Sequence, residues 1–188
     1  MSKNIWDILN RLEIATIVVV GGRPGSDFLH TLFDSHPEIL TFDGTLFFSQ
    51  FYDSAKSLWK GWGPNEDIAT TRVINTNDYF SEFAWNNLHK FKTRYDIRED
   101  KDKLGPEKDQ SNVVDIDLFV KYGVDLMISK EFNRKNVFLA TYGAFALARG
   151  EDLKKKKVLL HSVKHDFRIR ILTEEFSHVK VFAATRDP

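Results

Sequence analysis

Three short runs of apolar residues stand out along the chain, and each has the length of a β-strand rather than a helix. They cover residues 16–20, 157–161 and 179–184. The first run is β-branched from residue 17 to residue 20, as is typical of a strand buried on both faces of a parallel sheet. Stretches with helical periodicity separate the runs, which favours parallel pairing through right-handed crossovers. We therefore expect an α/β fold in which these segments are neighbouring strands.

Apolar residues recur at helical spacing between these runs. The predicted helices cover residues 4–12, 77–91, 113–130, 134–149 and 166–176. Gly150 is predicted to cap one of them at its carboxyl end. A short strand is expected at 39–42, and the charged segment 94–112 is expected to be an exposed loop.

A glycine-rich turn, GGRPG at residues 21–25, follows the first predicted strand directly. Glycines permit a tight turn and a close approach of a ligand to the backbone. Ser26 or Asp27 can cap the helix that follows. The apolar stripe of that helix is predicted to consist of Phe28, Leu29, Leu32 and Phe33. Strand, turn and helix N-terminus together form a place for an anion, because free backbone N–H groups and the helix dipole point into the turn.

Two common nucleotide-binding motifs do not fit this turn, since neither GxxxxGK[ST] nor GxGxxG has a matching register. The segment RPGSDFL at 23–29 instead resembles the 5′-phosphosulfate loop of the sulfotransferase family, which also follows the first strand. The segment DSHPEI at 34–39 resembles the sequence with which the family's first helix usually ends.

The carboxyl-terminal part of the chain carries a second portion of this resemblance. Many sulfotransferases have a strand ending in Lys-Thr-Pro-x-Asn/His, a helix, an F-P-x-A-K approach and a strand ending in Arg-Asp-Pro. Here the corresponding segments are HSVKH at 161–165, FSHVK at 176–180 and TRDP at 185–188. The resemblance covers the two ends of the chain and not its middle.

The resemblance implies a single domain over residues 1–188 with a three-layer, P-loop-NTPase-like α/β fold and a short parallel sheet flanked by helices. It also implies transfer of a sulfuryl group from PAPS (3′-phosphoadenosine 5′-phosphosulfate) to a hydroxyl or amine, without a metal. The acceptor would be a small molecule, a glycan or a lipid.

The same resemblance suggests roles for individual residues. The implied PAPS-binding residues are Arg23, Pro24, Gly25, Ser26, Asp27, Phe28 and Arg186, of which Arg186 would anchor the 3′-phosphate. Arg23 would stabilise the leaving phosphate together with backbone N–H groups of the turn. His161 lies where the family usually has a catalytic Lys, and it would act as the base because its unperturbed pKa is near neutrality. Lys164 would supply a second cation.

Composition narrows the function further. Lys plus Arg and Asp plus Glu are both 27, so no broad field attracts nucleic acid or a membrane surface. Absence of cysteine excludes disulfides and thiol catalysis. No apolar run approaches the ~20 residues of a membrane span, and residues 1–10 lack the apolar core of a signal peptide. We therefore expect a cytoplasmic protein.

The chain also departs from the family pattern. Ser26-Asp27 replaces a pair of hydroxyl residues, and the sequence stops at Pro188, where the family continues with a helix that braces the Arg. We therefore expect weak or no nucleotide binding by the isolated chain. Apolar surface on Phe182 and on the helix near 166–176 should be exposed and should favour self-association.

Three other classes remain open. One is a non-catalytic module that keeps the fold and binds a nucleotide or a partner. A second is a P-loop kinase relative, which the missing Gly-Lys-Ser/Thr disfavours. A third is a zinc hydrolase using His161 and His165, although the sequence offers no adjacent Glu base.

Overall fold

The structure is a computed structural model that describes residues 2–18, 25–34, 36–46, 51, 75–92, 114–163 and 167–183 of the 188-residue chain. The described strands are β1 (Glu13–Val18), β2 (Ile39–Leu40), β3 (Val158–Val163) and β4 (Val179–Ala183). The described helices are α1 (Ser2–Leu9), α2 (Ser26–Thr31), α3 (Thr76–Asn86), α4 (Leu88–Lys92), α5 (Ile116–Met127), α6 (Arg134–Ala148) and α7 (Phe167–Glu175), and a 3₁₀ turn (Leu153–Lys155) precedes β3.

The four strands form one open sheet in the order β2-β3-β1-β4, and every pairing is parallel. Glu13 pairs with Val158, and Ile14 pairs with Val179, so β1 lies between β3 and β4. This confirms that the three apolar runs are neighbouring parallel strands. The bounds differ, because β3 continues to Val163. Residues 19, 20 and 184 lie outside the described part of the chain.

One face of the sheet carries most of the apolar core. Ile14, Leu159 and Val163 on this face belong to a large cluster that includes residues from α1, α3, α5, α6 and α7. Helix α6 is buried from Val137 to Ala146, which explains why its sequence is apolar on all sides. The largest fully buried side chains are aromatic: Tyr79, Tyr142, Phe42, Phe51, Phe80, Phe83, Phe91, Phe119 and Phe138.

The opposite face is covered by α2. Leu29 and Phe33 pack against a small cluster formed by Ala15, Ile17 and Leu160. The predicted four-residue stripe was therefore half wrong, since Phe28 is 70% exposed and Leu32 is 59% exposed. A helix of six residues that lies over a sheet can bury only one narrow side.

Helix ends follow local hydrogen bonds that the apolar pattern does not encode. The predicted helix 77–91 is two helices, because the chain leaves helical geometry at Asn87, whose side chain donates to the carbonyl of Phe83. The prediction for Gly150 is confirmed. Gly150 has φ of 72° and donates to Leu147, while Glu151 donates to Ala146, which is the Schellman arrangement.

Two expectations about exposed surface had different outcomes. Phe182 is half-exposed, as expected, but Leu172 and Phe176 near α7 are buried, so the expectation for that helix was wrong. The loop expected at 94–112 lies outside the described residues. None of the described helices is both long enough and apolar enough to cross a bilayer.

Close packing between α3 and α5 generates a stability prediction. A Cβ added at Gly123 of α5 would lie 2.5 Å from the ring of Phe80, which is fully buried. We expect Gly123→Ala to lower the free energy of unfolding by about 1–3 kcal/mol, measured by urea denaturation, although alanine favours helices. Gly143→Ala in α6 is the control, because its nearest contacts, at 3.0 Å or more, are flexible ends of Leu9 and Leu126. A loss at Gly123 no larger than at Gly143 would contradict this prediction.

Candidate functional site

The candidate site lies at the carboxyl edge of the sheet. Because the strands are parallel, β1, β3 and β4 all end at this edge, at Val18, Val163 and Ala183. Helix α2, which follows β1, packs on one face, while Leu172 of α7, which follows β3, belongs to the core of the other face. The chain therefore leaves two adjacent strands, β1 and β3, toward opposite faces of the sheet. Open α/β sheets form ligand crevices between two strands whose connections diverge in this way.

Four of the predicted site residues lie outside the described residues: Arg23, Pro24, Lys164 and Arg186. They follow β1, β3 and β4 in the sequence, and the strands that precede them end at the same edge. The structure thus shows that the strands preceding these residues are adjacent and parallel. The expectation that Arg23 and Arg186 share an edge stays a prediction.

The turn before α2 ends in a glycine conformation that other residues rarely adopt. Gly25 has φ of 83° and ψ of 12°, and its carbonyl accepts from the N–H of Leu29. Gly25 is the N-cap, so the prediction that Ser26 or Asp27 caps the helix was wrong. Ser26 is instead buried as the first helical residue. Asp27 lies within α2, and Phe28 points its ring into solvent.

A chain of buried polar contacts holds α2 against the sheet. His30 Nε2 lies 3.2 Å from Thr41 Oγ1, which lies 3.1 Å from the carbonyl oxygen of Leu160 in β3. On the other side of the ring, Nδ1 is 3.5 Å from Asp34 Oδ1, and both oxygens of this carboxylate accept from the N–H of Gly44. These contacts fix the helix that follows the glycine turn to β3 and to the segment after β2.

The segment DSHPEI is joined to the start of β3. Lys156 Nζ donates to the carbonyls of His36, at 3.2 Å, and Ile39, at 2.8 Å, and it lies 2.6 Å from a carboxylate oxygen of Glu151. The carbonyl of Glu38 accepts from the N–H groups of residues 157 and 158. The carboxylate of Asp34, at the start of the same segment, accepts from the N–H of Gly44. The described members of this motif therefore have structural roles.

A second buried ionic group lies beside this segment. Arg149 Nη1 is 3.2 Å from Asp43 Oδ1, and its Nε is 3.2 Å from Glu151 Oε1. Lys90 Nζ donates to the carbonyl of Asp43 at 2.9 Å. Opposite charges at hydrogen-bond distance offset the cost of removing these groups from water. This group connects the chain after β2 to α4 and to the end of α6.

His161, the predicted base, lies inside β3 and is fully buried. Its Nδ1 is 2.7 Å from the hydroxyl of Tyr142, and the ring contacts Phe51 and Phe138 nearly edge to face. Burial, with a smaller contribution from nearby His30, lowers the pKa of His161 to about 3. The imidazole is therefore neutral near neutral pH and has no surface open to an acceptor. This environment argues against the predicted role as a base.

Two further hydroxyls are buried in the centre of the sheet. Thr16 is the register partner of His161, and Ser162 is the next residue of β3. Thr16 Oγ1 and Ser162 Oγ have no hydrogen-bond partner among the residues that the structure describes. Thr16 lies on the face of the sheet that carries His161, whereas Ser162 lies on the face that α2 covers, so the two hydroxyls are on opposite faces.

Sequence reasoning also missed His30, Thr41 and Lys156. The available signal for His30 was its i, i+4 spacing to Asp34 within a helix that is otherwise apolar on its inner side. Thr41 and Lys156 gave no such signal, since most of their contacts are to main-chain carbonyls and to residues that are not spaced as neighbours on one helix. Within the described ranges, no cluster of three or more His, Asp or Glu side chains could hold a metal ion.

These observations define the protein as an α/β protein with an open, all-parallel sheet of four described strands flanked by helices, and with Gly25 in a left-handed conformation directly before α2. The chain was compared with models of protein families, with curated proteins and with solved structures, and none of the three comparisons gives a match. The resemblance to sulfotransferases therefore depends on the motifs and on where their strands lie.

The environment of His161 gives a prediction for pH dependence. An unfolded chain binds a proton at His161 near pH 6.5, whereas the folded chain does so only at about pH 3. The contribution of His161 to the free energy of unfolding should therefore be fully present above pH 6.5. It should decrease as the pH falls, by at most about 1.4 kcal/mol per pH unit. We expect His161→Gln to remove this slope between about pH 6 and pH 4 in urea denaturation series.

His178→Gln is the matched control, because His178 is exposed. It should leave the slope as in the unmodified chain. An equal slope in the unmodified chain and His161→Gln would show that His161 is not held neutral by burial.

Proposed function

We propose that the chain is a sulfotransferase with a P-loop-NTPase-like fold. It transfers a sulfuryl group from PAPS to a hydroxyl or amine of a small-molecule, glycan or lipid acceptor. One observation carries the proposal. The strand that precedes the phosphosulfate-loop segment is central, and the strands of the other two motif segments flank it and end at the same edge. Motifs that are far apart in the sequence thus belong to adjacent strands or follow them.

The conformation of the turn adds support. Gly25 takes the left-handed conformation directly before α2, and the buried contacts of His30 and Asp34 hold this helix in place. A fixed helix after a glycine turn suits phosphate binding, because the backbone donors are oriented before the ligand arrives.

The proposed reaction breaks the bond between sulfur and the oxygen that bridges it to the 5′-phosphate. The acceptor oxygen or nitrogen forms a new bond to sulfur, its proton goes to a base, and adenosine 3′,5′-bisphosphate leaves. Arg23 and Lys164 are the proposed cations at the leaving phosphate, with backbone N–H groups of Gly25 and Ser26. Arg186 is the proposed anchor of the 3′-phosphate.

His161 takes a different part in this proposal from the one that its sequence position suggested. It is fully buried, and its contact with Tyr142 links β3 to α6. The proton acceptor is accordingly another group or solvent.

A second candidate is a non-catalytic module that binds the nucleotide without turnover. The burial and low pKa of His161 favour it, since the residue at the position of the expected catalytic side chain does not face an acceptor. Binding and transfer must therefore be measured separately.

Binding is tested by calorimetric titration with adenosine 3′,5′-bisphosphate. Removal of a charge-assisted hydrogen bond costs about 1.5–3 kcal/mol, so Arg23→Ala and Arg186→Ala should each weaken binding by about 10- to 150-fold. Arg11→Ala is the control, because Arg11 precedes β1 and therefore lies at the opposite edge. It should leave the affinity unchanged. Binding that is equally strong in the unmodified chain, Arg23→Ala and Arg186→Ala would contradict both candidates.

Transfer is tested by incubation with PAPS and a panel of phenols, alcohols and amines. Sulfated product that is lost in Arg23→Ala and retained in Arg11→Ala is the result expected for the enzyme. Nucleotide binding without product on the whole panel would favour the non-catalytic module.

A further inference from the structure

Strand β4 is the outermost strand of the sheet next to β1, and it is unusually apolar for an edge. Val181 is 46% exposed and Phe182 is 51% exposed. They pair with Thr16 and Ile17 of β1, so successive side chains point to opposite faces of the sheet. Both faces of this edge therefore present apolar surface, and none of the described strands pairs with the outer side of β4.

The usual protection of edge strands is weak here. Natural edges commonly carry charged residues, proline or bulges that prevent another strand from pairing. The described strand carries one charged residue, Lys180, and its ammonium group forms an ion pair with Glu13 of β1. This pairing neutralises the charge that would otherwise repel an incoming strand.

We propose that β4 pairs in antiparallel orientation with β4 of a second copy of this chain. The two-fold axis passes at Val181, so that the two copies of Val181 face each other on one side of the sheet. Lys180 then lies opposite Phe182 of the second copy, and Val179 lies opposite Ala183. The two four-stranded sheets become one continuous sheet of eight strands.

The strand's own sequence favours a second copy as the occupant. In this register no like charges face each other, and each Lys180 has an aromatic ring opposite it, which favours a cation–π contact. A register centred one residue earlier would place the two Lys180 ammonium groups directly opposite each other. All five residues of β4 find a compatible partner in the proposed register, which an unrelated strand would supply only by coincidence.

The test measures oligomeric state by sedimentation as a function of concentration. The unmodified full chain should form dimers, and Val181→Glu and Val181→Lys should each weaken dimerisation by about tenfold or more, because like charges then meet at the axis. Val181→Thr, which keeps the β-branched shape without a charge, should still form dimers. Mixing the Glu and Lys variants should restore association as a mixed dimer.

Controls separate this edge from other apolar surface. Leu32→Glu changes an exposed leucine directly after α2 and should not affect dimerisation. Circular dichroism checks that each variant is folded, and the mixing experiment does so independently. Monomers of the unmodified chain up to millimolar concentration would overturn the proposal. So would undiminished dimers of both charged variants, or dimers lost in Leu32→Glu. Nucleotide affinity is measured separately, so failure here leaves the proposed function untouched.

Discussion

Parallel pairing of β1 with both β3 and β4 is the interaction on which the rest of the structure depends. It buries β1 from Ile14 to Val18 and gives the sheet two faces that each require cover. Main-chain hydrogen bonds satisfy the backbone of this strand, which has no access to water. The faces are covered very unequally. Many helices share one face, and only α2 is found on the other among the described elements.

The unequal cover explains why polar contacts are concentrated around α2. Its inner side supplies little apolar area, so packing alone fixes its position poorly. The hydrogen bonds from His30 through Thr41 to the carbonyl of Leu160, and from the N–H of Gly44 to Asp34, are directional contacts in a dry environment, where such bonds are strong.

The sequence predicted the sheet well and the site less well, for different physical reasons. Burial on two faces leaves a clear mark in the residues of β1, and parallel order follows from the helices between strands. The site depends on finer facts. Phe28 and Leu29 are adjacent and equally apolar, yet only Leu29 faces the sheet, because the orientation of a six-residue helix is set by tertiary contacts. The sequence placed His161 at the end of its strand. In the structure β3 continues for two residues beyond His161, and aromatic rings contact its side chain, so it belongs to the core. The local spacing of apolar residues encodes neither the residue at which a strand ends nor how deeply a side chain is buried.

The register between Glu13 and Val158 also affects how the chain folds during synthesis. The difference, 158 minus 13, is 145 residues, so the central pairing joins positions that are far apart in the chain. Closing so long a loop is entropically costly and slow compared with forming helices. At about 5–20 residues per second, the ribosome needs roughly 7 to 30 seconds between the two positions. Throughout that interval the apolar β1 segment has neither of its strand partners, and the growing chain depends on local helices or on chaperones to keep it from premature association.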